Sequence, residues 1–338
     1  MEYRVAGDEP ARSGRVHDAS PSELDDLAPD LTSPVDAEAR VELERHAASQ
    51  APSGCAQGVA PARLPAPLHS AAAVAAPNGV IYLVGGNDDH GNSLEPARLV
   101  AYDPAERTYR ELPAAPERFF TYAGSAFSNG KLIALDRKLW LFDPATERWS
   151  EGSPVPYVLT NRAAAVSGDG RVYFFGGYSD VGVPVERADV YDPASDTWQN
   201  LPDMPFWGDG LAAAESGGRF YVMGRKAAVF DPQTQQWTLL PPQPTPRHWT
   251  TASTDAQGRV INLTGYGYDP IGFTTAMDIY DPRSETWSVG PAMPMGIGEA
   301  PSVRACNGAI LVFGGESYDG VSDRVHAFTS QGTWLTSE

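Results

Sequence analysis

The chain has 338 residues and a formal net charge of −18 at pH 7, from 43 acidic and 25 basic residues. This acidic balance argues against a nucleic-acid partner or an anionic membrane, because both bind basic surfaces. No apolar run is long enough to span a membrane and no signal peptide is recognisable, so we expect a cytoplasmic protein. Its two cysteines, Cys55 and Cys306, predict no disulfide framework.

Residues 1–64 form a polar N-terminal extension, distinct from residues 65–338. The extension is rich in Ala, Asp, Pro and Ser and contains one aromatic residue, Tyr3, so it can bury little surface. Two segments, at Ser20-Pro21 and Ser33-Pro34, have the cap, proline and early acids of a helix start. We expect a partly disordered or helical segment, either a solvated tail or a lid over the second domain.

From residue 65 onward, a short motif of an aromatic residue, Asp and Pro recurs about every 40–50 residues, which predicts a repeat architecture. Asp and Pro favour a type I turn, and the large aromatic residue that follows suits a packed strand, so each copy predicts a hairpin. The copies are Tyr102-Asp103-Pro104 with Tyr109, Phe142-Asp143-Pro144 with Trp149, Tyr191-Asp192-Pro193 with Trp198, Phe230-Asp231-Pro232 with Trp237, Tyr280-Asp281-Pro282 with Trp287, and a degenerate copy from Phe328 to Trp334.

A second motif lies upstream of several copies, where an apolar strand ends in two glycines. It occurs at Gly85-Gly86, Gly176-Gly177 and Gly314-Gly315, and paired glycines at a strand end indicate close approach of another backbone segment. The second and fourth repeats have Asp136-Arg137 and Gly224-Arg225 in its place.

Together these motifs resemble those of the kelch-repeat family, with six copies over residues 65–338. The resemblance implies an all-β fold, a six-bladed β-propeller of four-stranded blades. We name the strands of each blade a to d from the channel outward, and we expect every blade to be complete without a strand from the extension. Galactose-oxidase-like and bacterial sialic-acid mutarotase members share this architecture, but no catalytic residue of either can be placed on this chain. No BTB or F-box domain of the adaptor members is recognisable.

The resemblance places the b–c and d–a loops on one face, which we call the loop face. The b–c loops of blades 1, 3, 5 and 6 are long, whereas blades 2 and 4 have almost none. Because loops on rigid scaffolds carry function, we expect a groove across this face that binds a small molecule or a protein partner.

Aligning the blades on the glycine of each a–b turn brings four polar residues to the starts of innermost strands. These candidate catalytic residues are His69, Asp209, His248 and Glu299, from four neighbouring blades. Histidine between carboxylates suits general acid–base chemistry, and the same four side chains suit a divalent metal such as Zn, Mn or Fe. Alternatively, they are polar only because the channel is wet. No metal-binding motif favours the metal, so the cofactor is unknown.

The predicted substrate-binding residues combine aromatic, amide and guanidinium side chains. They are Phe120, Asn161, Arg162, Tyr178, Trp207, Arg247, Trp249, Tyr266 and Tyr318. Arginine can bind a substrate carboxylate, and the aromatic residues either line a pocket or pack loops together. The function we predict is small-molecule binding or conversion, such as that of an acid–base isomerase (an epimerase, for example), lyase or cyclase. The alternative is a non-catalytic protein-interaction scaffold, the role of many kelch propellers.

Overall fold

The computed structural model describes residues 59–88, 97–117, 119, 124–208 and 210–338. The chain divides into Met1–Ser49 and Gln50–Glu338, and the fold below belongs to the second unit. The predicted helices of the extension lie outside the described residues, and the predicted boundary after residue 64 stays a prediction. Among the described residues, no helix could cross a membrane.

Six four-stranded antiparallel sheets follow one another along the described chain, and we number them as blades 1 to 6. Blade 1 contains β1 (His69–Ala75), β2 (Ile81–Asn87), β3 (Leu99–Asp103) and β4 (Thr108–Leu112). Blade 2 contains β5 (Gly124–Ser128), β6 (Lys131–Leu135), β7 (Leu139–Asp143) and β8 (Arg148–Glu151). Blade 3 contains β9 (Ala163–Val166), β10 (Val172–Phe175), β11 (Ala188–Asp192) and β12 (Thr197–Asn200). Blade 4 contains β13 (Ala212–Ser216), β14 (Arg219–Met223), β15 (Ala227–Asp231) and β16 (Gln236–Leu239).

Blades 5 and 6 carry extra short strands in their b–c loops. The fifth blade follows β17 (Arg247–His248) and contains β18 (Thr251–Thr254), β19 (Val260–Leu263), β22 (Asp278–Asp281) and β23 (Thr286–Val289). Its loop strands β20 (Tyr266–Tyr268) and β21 (Ile271–Phe273) pair with each other, and β20 also pairs with β17. The sixth contains β24 (Ser302–Arg304), β25 (Ile310–Phe313), β28 (Val325–Phe328) and β29 (Trp334–Thr336), with the hairpin β26 (Glu316–Ser317) and β27 (Gly320–Val321) in its loop.

The six innermost strands form a closed ring, because each contacts the innermost strands of both neighbouring blades and β24 contacts β1. These strands are rich in alanine, as in β9 and β13, and small side chains allow close packing around the channel. The second strands, such as β10 and β25, are buried throughout, as expected of strands covered on both faces. The prediction of an all-β propeller is confirmed, and every described blade is complete in its own sequence.

The recurring Asp shapes the turn and the recurring aromatic residue joins neighbouring blades. Asp192 Oδ1, for example, accepts a hydrogen bond from the N–H of Ala194 at 2.8 Å. Each tryptophan of the repeat is half-buried and donates its indole N–H to a carbonyl of the preceding blade's d–a segment. The pairs are Trp149 with Pro113, Trp198 with Ser153, Trp237 with Pro202, Trp287 with Pro241 and Trp334 with Pro291, at 2.8–3.3 Å.

The paired glycines mark the predicted close backbone approach. A Cβ atom on Gly177 would lie 2.5 Å from the carbonyl oxygen of Thr160, and one on Gly315 would lie 2.9 Å from that of Gly298. Both glycines also have positive φ, 109° and 94°, which side chains disfavour. The start of strand a therefore packs directly on the end of strand b, and that position requires glycine.

Cys306 is disulfide-bonded, a bond that was not anticipated from the sequence, which predicted no disulfide framework. The other cysteine of the chain, Cys55, lies outside the described residues. Two cysteines far apart in sequence give no spacing from which a disulfide can be predicted.

Candidate functional site

In every blade whose strand start is described, a residue in the left-handed conformation lies just before strand a or, in blade 1, at its second position. These residues are Ser70 (φ 58°), Asn161 (56°), Gly210 (53°), Trp249 (52°) and Glu299 (57°). Residues with side chains seldom adopt this conformation, and where they do the site is often functional. Among the candidate catalytic residues, Glu299 occupies the left-handed position, as the predicted substrate-binding residue Asn161 does. His69 and His248 precede that position by one residue. The candidate catalytic residues therefore come from two different positions at the strand starts.

Backbone hydrogen bonds link these residues across blades and hold the channel mouth. The N–H of Ser70 donates to the carbonyl of Glu299 at 2.7 Å, and the N–H of Glu299 donates to the carbonyl of Trp249 at 3.2 Å. The N–H of Thr250 donates to the carbonyl of Gly210 at 3.2 Å. The side chains at the mouth therefore project from a backbone that is fixed from both sides.

His69 and Glu299 meet at the channel mouth. His69 Nδ1 lies 2.9 Å from Glu299 Oε2, and the Ser70 hydroxyl donates to the same oxygen. The two side chains are only 8% and 13% exposed. A second acidic residue, Glu316, joins them: one ring nitrogen of His69 and one carboxylate oxygen from each glutamate all lie within 4.8 Å of one another.

His248 lies in an aromatic cluster. Its ring centroid is 4.3 Å from that of Trp249, 5.0 Å from Tyr268 and 5.7 Å from Tyr266. It does not belong to the described group of His69 and the two glutamates. Asp209, like the predicted substrate-binding residue Phe120, lies outside the described residues, so catalytic roles for Asp209 and His248 stay predictions.

A cavity of about 460 Å³ opens at the channel mouth, and we call it the mouth cavity. It is lined by Arg137, Val158, Thr160, Asn161, Tyr178, Ser179, Asp180, Gly182, Trp249 and Glu299. The predicted residues Asn161, Tyr178, Trp249 and Glu299 thus line the same cavity. Its volume lies within the range of about 300–1,000 Å³ usual for small-molecule sites.

Sequence reasoning missed Arg137, which lies in the short b–c turn of blade 2. The equivalent turn of blade 4 holds Arg225 and Lys226, so both blades without b–c loops present an Arg-Lys pair. Two of the three lysines of the chain occupy these turns. This clustering of basic residues in the two short turns was the sequence feature from which Arg137 could have been identified.

Two other cavities lie on the loop face and contain more exposed apolar side chains. One, of about 630 Å³, is lined by Trp207, Arg225, Lys226 and Tyr268, among others. The other, of about 420 Å³, lies between the loop hairpins of blades 5 and 6 and includes Ile271 and Tyr318. Trp207 and Tyr318 are therefore separated from the mouth cavity.

Arg162 and Arg247 are buried and form ion pairs inside the protein. Arg162 lies 2.8 Å from Asp189 and donates to two backbone carbonyls. Arg247 lies 3.3 Å from Asp278 and donates to the carbonyl of Asn262. Burial lowers the pKa of Arg247 to about 10, and the charge of Asp278 opposes that shift. Both arginines join the start of strand a to strand c of the same blade, and their predicted contact with a substrate stays a prediction.

Comparisons with known proteins agree with the repeats. A family model described as Kelch motif matches residues 160–205. Kelch-like protein 35 of Mus musculus is 25% identical over 72% of this chain and 43% of its own length. A putative F-box/kelch-repeat protein of Arabidopsis thaliana is 31% identical over 44% of this chain and 46% of its own. The chain spans about two fifths of the length of the Kelch-like relatives it matches.

The solved structure of YjhT superimposes on this chain with a TM-score of 0.68, covering 82% of this chain and 99% of that one. At 17% identity, this similarity shows the fold alone.

Proposed function

We propose that this chain, which belongs to the kelch-repeat β-propellers, binds a small polar molecule in the mouth cavity and moves a proton on it. The observation that carries the proposal is the position of Glu299, which lines the cavity and is hydrogen-bonded to buried His69 at 2.9 Å. A carboxylate supported by an imidazole can accept a proton from a bound ligand and return it. This chemistry fits an isomerase, lyase or cyclase.

The other cavity residues define the ligand class. Arg137 supplies a positive charge in the cavity that Glu299 also lines. Asn161 supplies an amide that both donates and accepts hydrogen bonds. Tyr178 and Trp249 contribute aromatic surface. A ligand with hydroxyl or carboxylate groups and one apolar face would satisfy this lining.

A thermal-shift screen of polar metabolites tests the binding step. We expect a hit that stabilises the wild-type protein and loses at least tenfold in affinity in Glu299→Gln and in Arg137→Ala. Asp319→Asn, a carboxylate change at another cavity of the loop face, is the matched control and should retain binding. If both cavity variants bind the hits normally, the proposal that these molecules bind in the mouth cavity is contradicted.

Turnover of such a hit tests the catalytic step. Glu299→Gln should lower the turnover number by roughly 10²–10⁴ through loss of the proton-transfer group. His248→Ala examines the predicted role of His248 in the same assay. Binding without any turnover by the wild-type protein would reduce the proposal to a binding module.

A second candidate function, a protein-docking scaffold, is favoured by exposed apolar side chains on the loop face. Trp207 is 58% exposed, Ile271 75% and Tyr318 74%. Aromatic side chains of this kind are often the main binding residues of interfaces. Replacing Ile271 and Tyr318 by serine should abolish crosslinking to a partner while leaving small-molecule binding at the mouth cavity unchanged. Loss of both would argue that the double variant is misfolded.

The cytoplasm is our proposed location, and the redox state of Cys306 tests it, because disulfides persist chiefly in oxidising compartments. Cell fractionation combined with thiol labelling decides between these possibilities. Recovery of a labelled, reduced Cys306 from the cytoplasmic fraction would support the proposed location.

A further inference from the structure

The point where the propeller closes carries an unusual group of side chains. His69 opens β1 of blade 1, whereas Glu299 and Glu316 belong to blade 6. Since these are the first and last blades of the chain, the three residues lie across the closing junction of the ring.

The three side chains are held by backbone contacts. The N–H of Ser70 donates to the carbonyl of Glu299 at 2.7 Å, which links blade 1 to blade 6. Gly298 and Glu316 exchange two backbone hydrogen bonds of 2.9 Å, which fix Glu316 beside the strand start that carries Glu299. Because the supporting backbone is fixed, the three donor side chains converge without a large rearrangement.

The buried imidazole of His69 is incompletely satisfied. Its Nδ1 is hydrogen-bonded to Glu299. Its Nε2 has no hydrogen-bond partner among the described residues, and the side chain is only 8% exposed, so this nitrogen is also shielded from solvent. A buried polar atom in this state calls for a partner beyond the described residues, such as an ion or a water molecule. This observation is independent of the clustering of the two carboxylates.

We propose that His69, Glu299 and Glu316 bind a divalent transition-metal ion, with Zn²⁺ and Mn²⁺ the best matches for one imidazole and two carboxylates. The donor atoms already lie within 4.8 Å of one another. The ion leaves positions open on the cavity side, because Glu299 also lines the mouth cavity. It ties blade 1 to blade 6 whether or not a small molecule is bound, so the inference goes beyond the proposed function.

Metal titration of the chelator-treated full chain tests this site. We expect Zn²⁺ or Mn²⁺ alone to raise the thermal midpoint of the wild-type protein and to bind with at least tenfold weaker affinity in Glu316→Gln. Asp319→Asn changes a carboxylate in the same b–c loop and should bind metal as the wild type does. His69→Gln should match Glu316→Gln, and Glu316 carries the test if the buried substitution disturbs folding.

The difference between variants is the readout, because His17 and His46 of the N-terminal extension can bind metal independently. Equal metal affinity in the wild type and Glu316→Gln, or no stabilisation of the wild type by either metal, overturns the proposal. Metal binding without any small-molecule hit would leave this inference standing while the proposed function fails.

Discussion

The closing junction between blades 6 and 1 differs from the five junctions formed along the chain. At each of those five, a tryptophan of strand d donates to a carbonyl of the preceding blade's d–a segment, as Trp237 does to Pro202 at 2.9 Å. At the closing junction the donor is the Tyr109 hydroxyl and the acceptor is the carbonyl of Ala62, at 3.0 Å. All six junctions thus join an aromatic side chain of strand d to a backbone carbonyl. At the closing junction, that carbonyl belongs to the segment that precedes blade 1.

This preceding segment, residues 59–68, lies against blade 6. The N–H groups of Leu64 and Leu68 donate to the carbonyls of Asp323 and Ser322, and Arg63 forms an ion pair with Asp323. Leu64 and Leu68 also join a core cluster that contains Tyr102 of blade 1 and Phe313 of blade 6. A short segment without strand pairing therefore closes this ring, and no strand is exchanged among the described residues.

Two deletions separate the closing segment from the extension, and they carry the largest expected effect. Deleting residues 1–60 should leave the propeller folded, whereas deleting residues 1–68 removes two buried leucines. At about 1.5–3 kcal/mol for each, the longer deletion should lower the free energy of unfolding by about 3–6 kcal/mol relative to the shorter one.

Urea unfolding of the two proteins measures the difference, and both lack Cys55, so the state of Cys306 does not distinguish them. Equal stability would show that the segment does not close the ring. Loss of folding in the shorter deletion would show that residues 1–60 contribute to the stability of the propeller.

The next largest loss of stability is expected at one of the five junctions formed along the chain, that between blades 3 and 4. Trp237 packs against Phe175 of blade 3 and Phe230 of blade 4, with ring centroids 5.7 and 5.0 Å away. Trp237→Ala should cost about 3 kcal/mol, the low end for such substitutions because the side chain is half-buried. Tyr109→Ala at the closing junction should cost less in the same denaturant titration, because Leu64 and Leu68 still hold that junction. A larger loss for Tyr109→Ala would reverse the comparison.

The sequence predicted the fold well where the determinants are local. The Asp–Pro turns and the Gly-Gly strand ends are short-range features, and they located all six blades and the uneven b–c loops. The closing role of Ala62, Leu64 and Leu68 was not predicted, because it depends on contacts with blade 6 at the far end of the chain.

The candidate site was predicted only in part for the same reason. Positional alignment found His69 and Glu299, which the structure brings together. It missed Glu316 and Arg137, which follow different strands and reach the channel mouth only in the assembled ring. Alignment also could not show that Arg247 turns inward to Asp278, because burial of a charge pair leaves no mark in the local sequence.

Acid should lower the stability of blade 6 by protonating His326. Burial lowers the pKa of His326 to about 4, and the ring is hydrogen-bonded to Thr336 on the neighbouring strand at 2.9 Å. Burial favours the neutral ring in the folded protein, so neutral His326 contributes to the free energy of unfolding. That contribution is fully present above pH 6.5 and is lost as the pH falls towards 4. The loss should reach roughly 2–3 kcal/mol.

Chemical denaturation at pH 7, 5 and 4 measures the effect, and His326→Gln should show a shallower decline than the wild type. Parallel declines for the two proteins would assign the acid sensitivity to carboxylates elsewhere, such as Asp169, whose hydrogen bonds with Arg171 lower its pKa to about 2.

The smallest expected effect isolates the hydrogen bond of the closing junction. Tyr109→Phe keeps the ring stacked on Tyr102, at a centroid distance of 4.5 Å, and removes only the donor to Ala62. The cost should be about 1 kcal/mol, the usual net value of such a bond. Tyr82→Phe is the matched control in the same blade, because the Tyr82 hydroxyl makes no hydrogen bond within the described part of the chain, and it should change stability by less. If both variants lose the same stability in urea titrations, the Ala62 contact contributes nothing specific, and the closing junction depends on its apolar core alone.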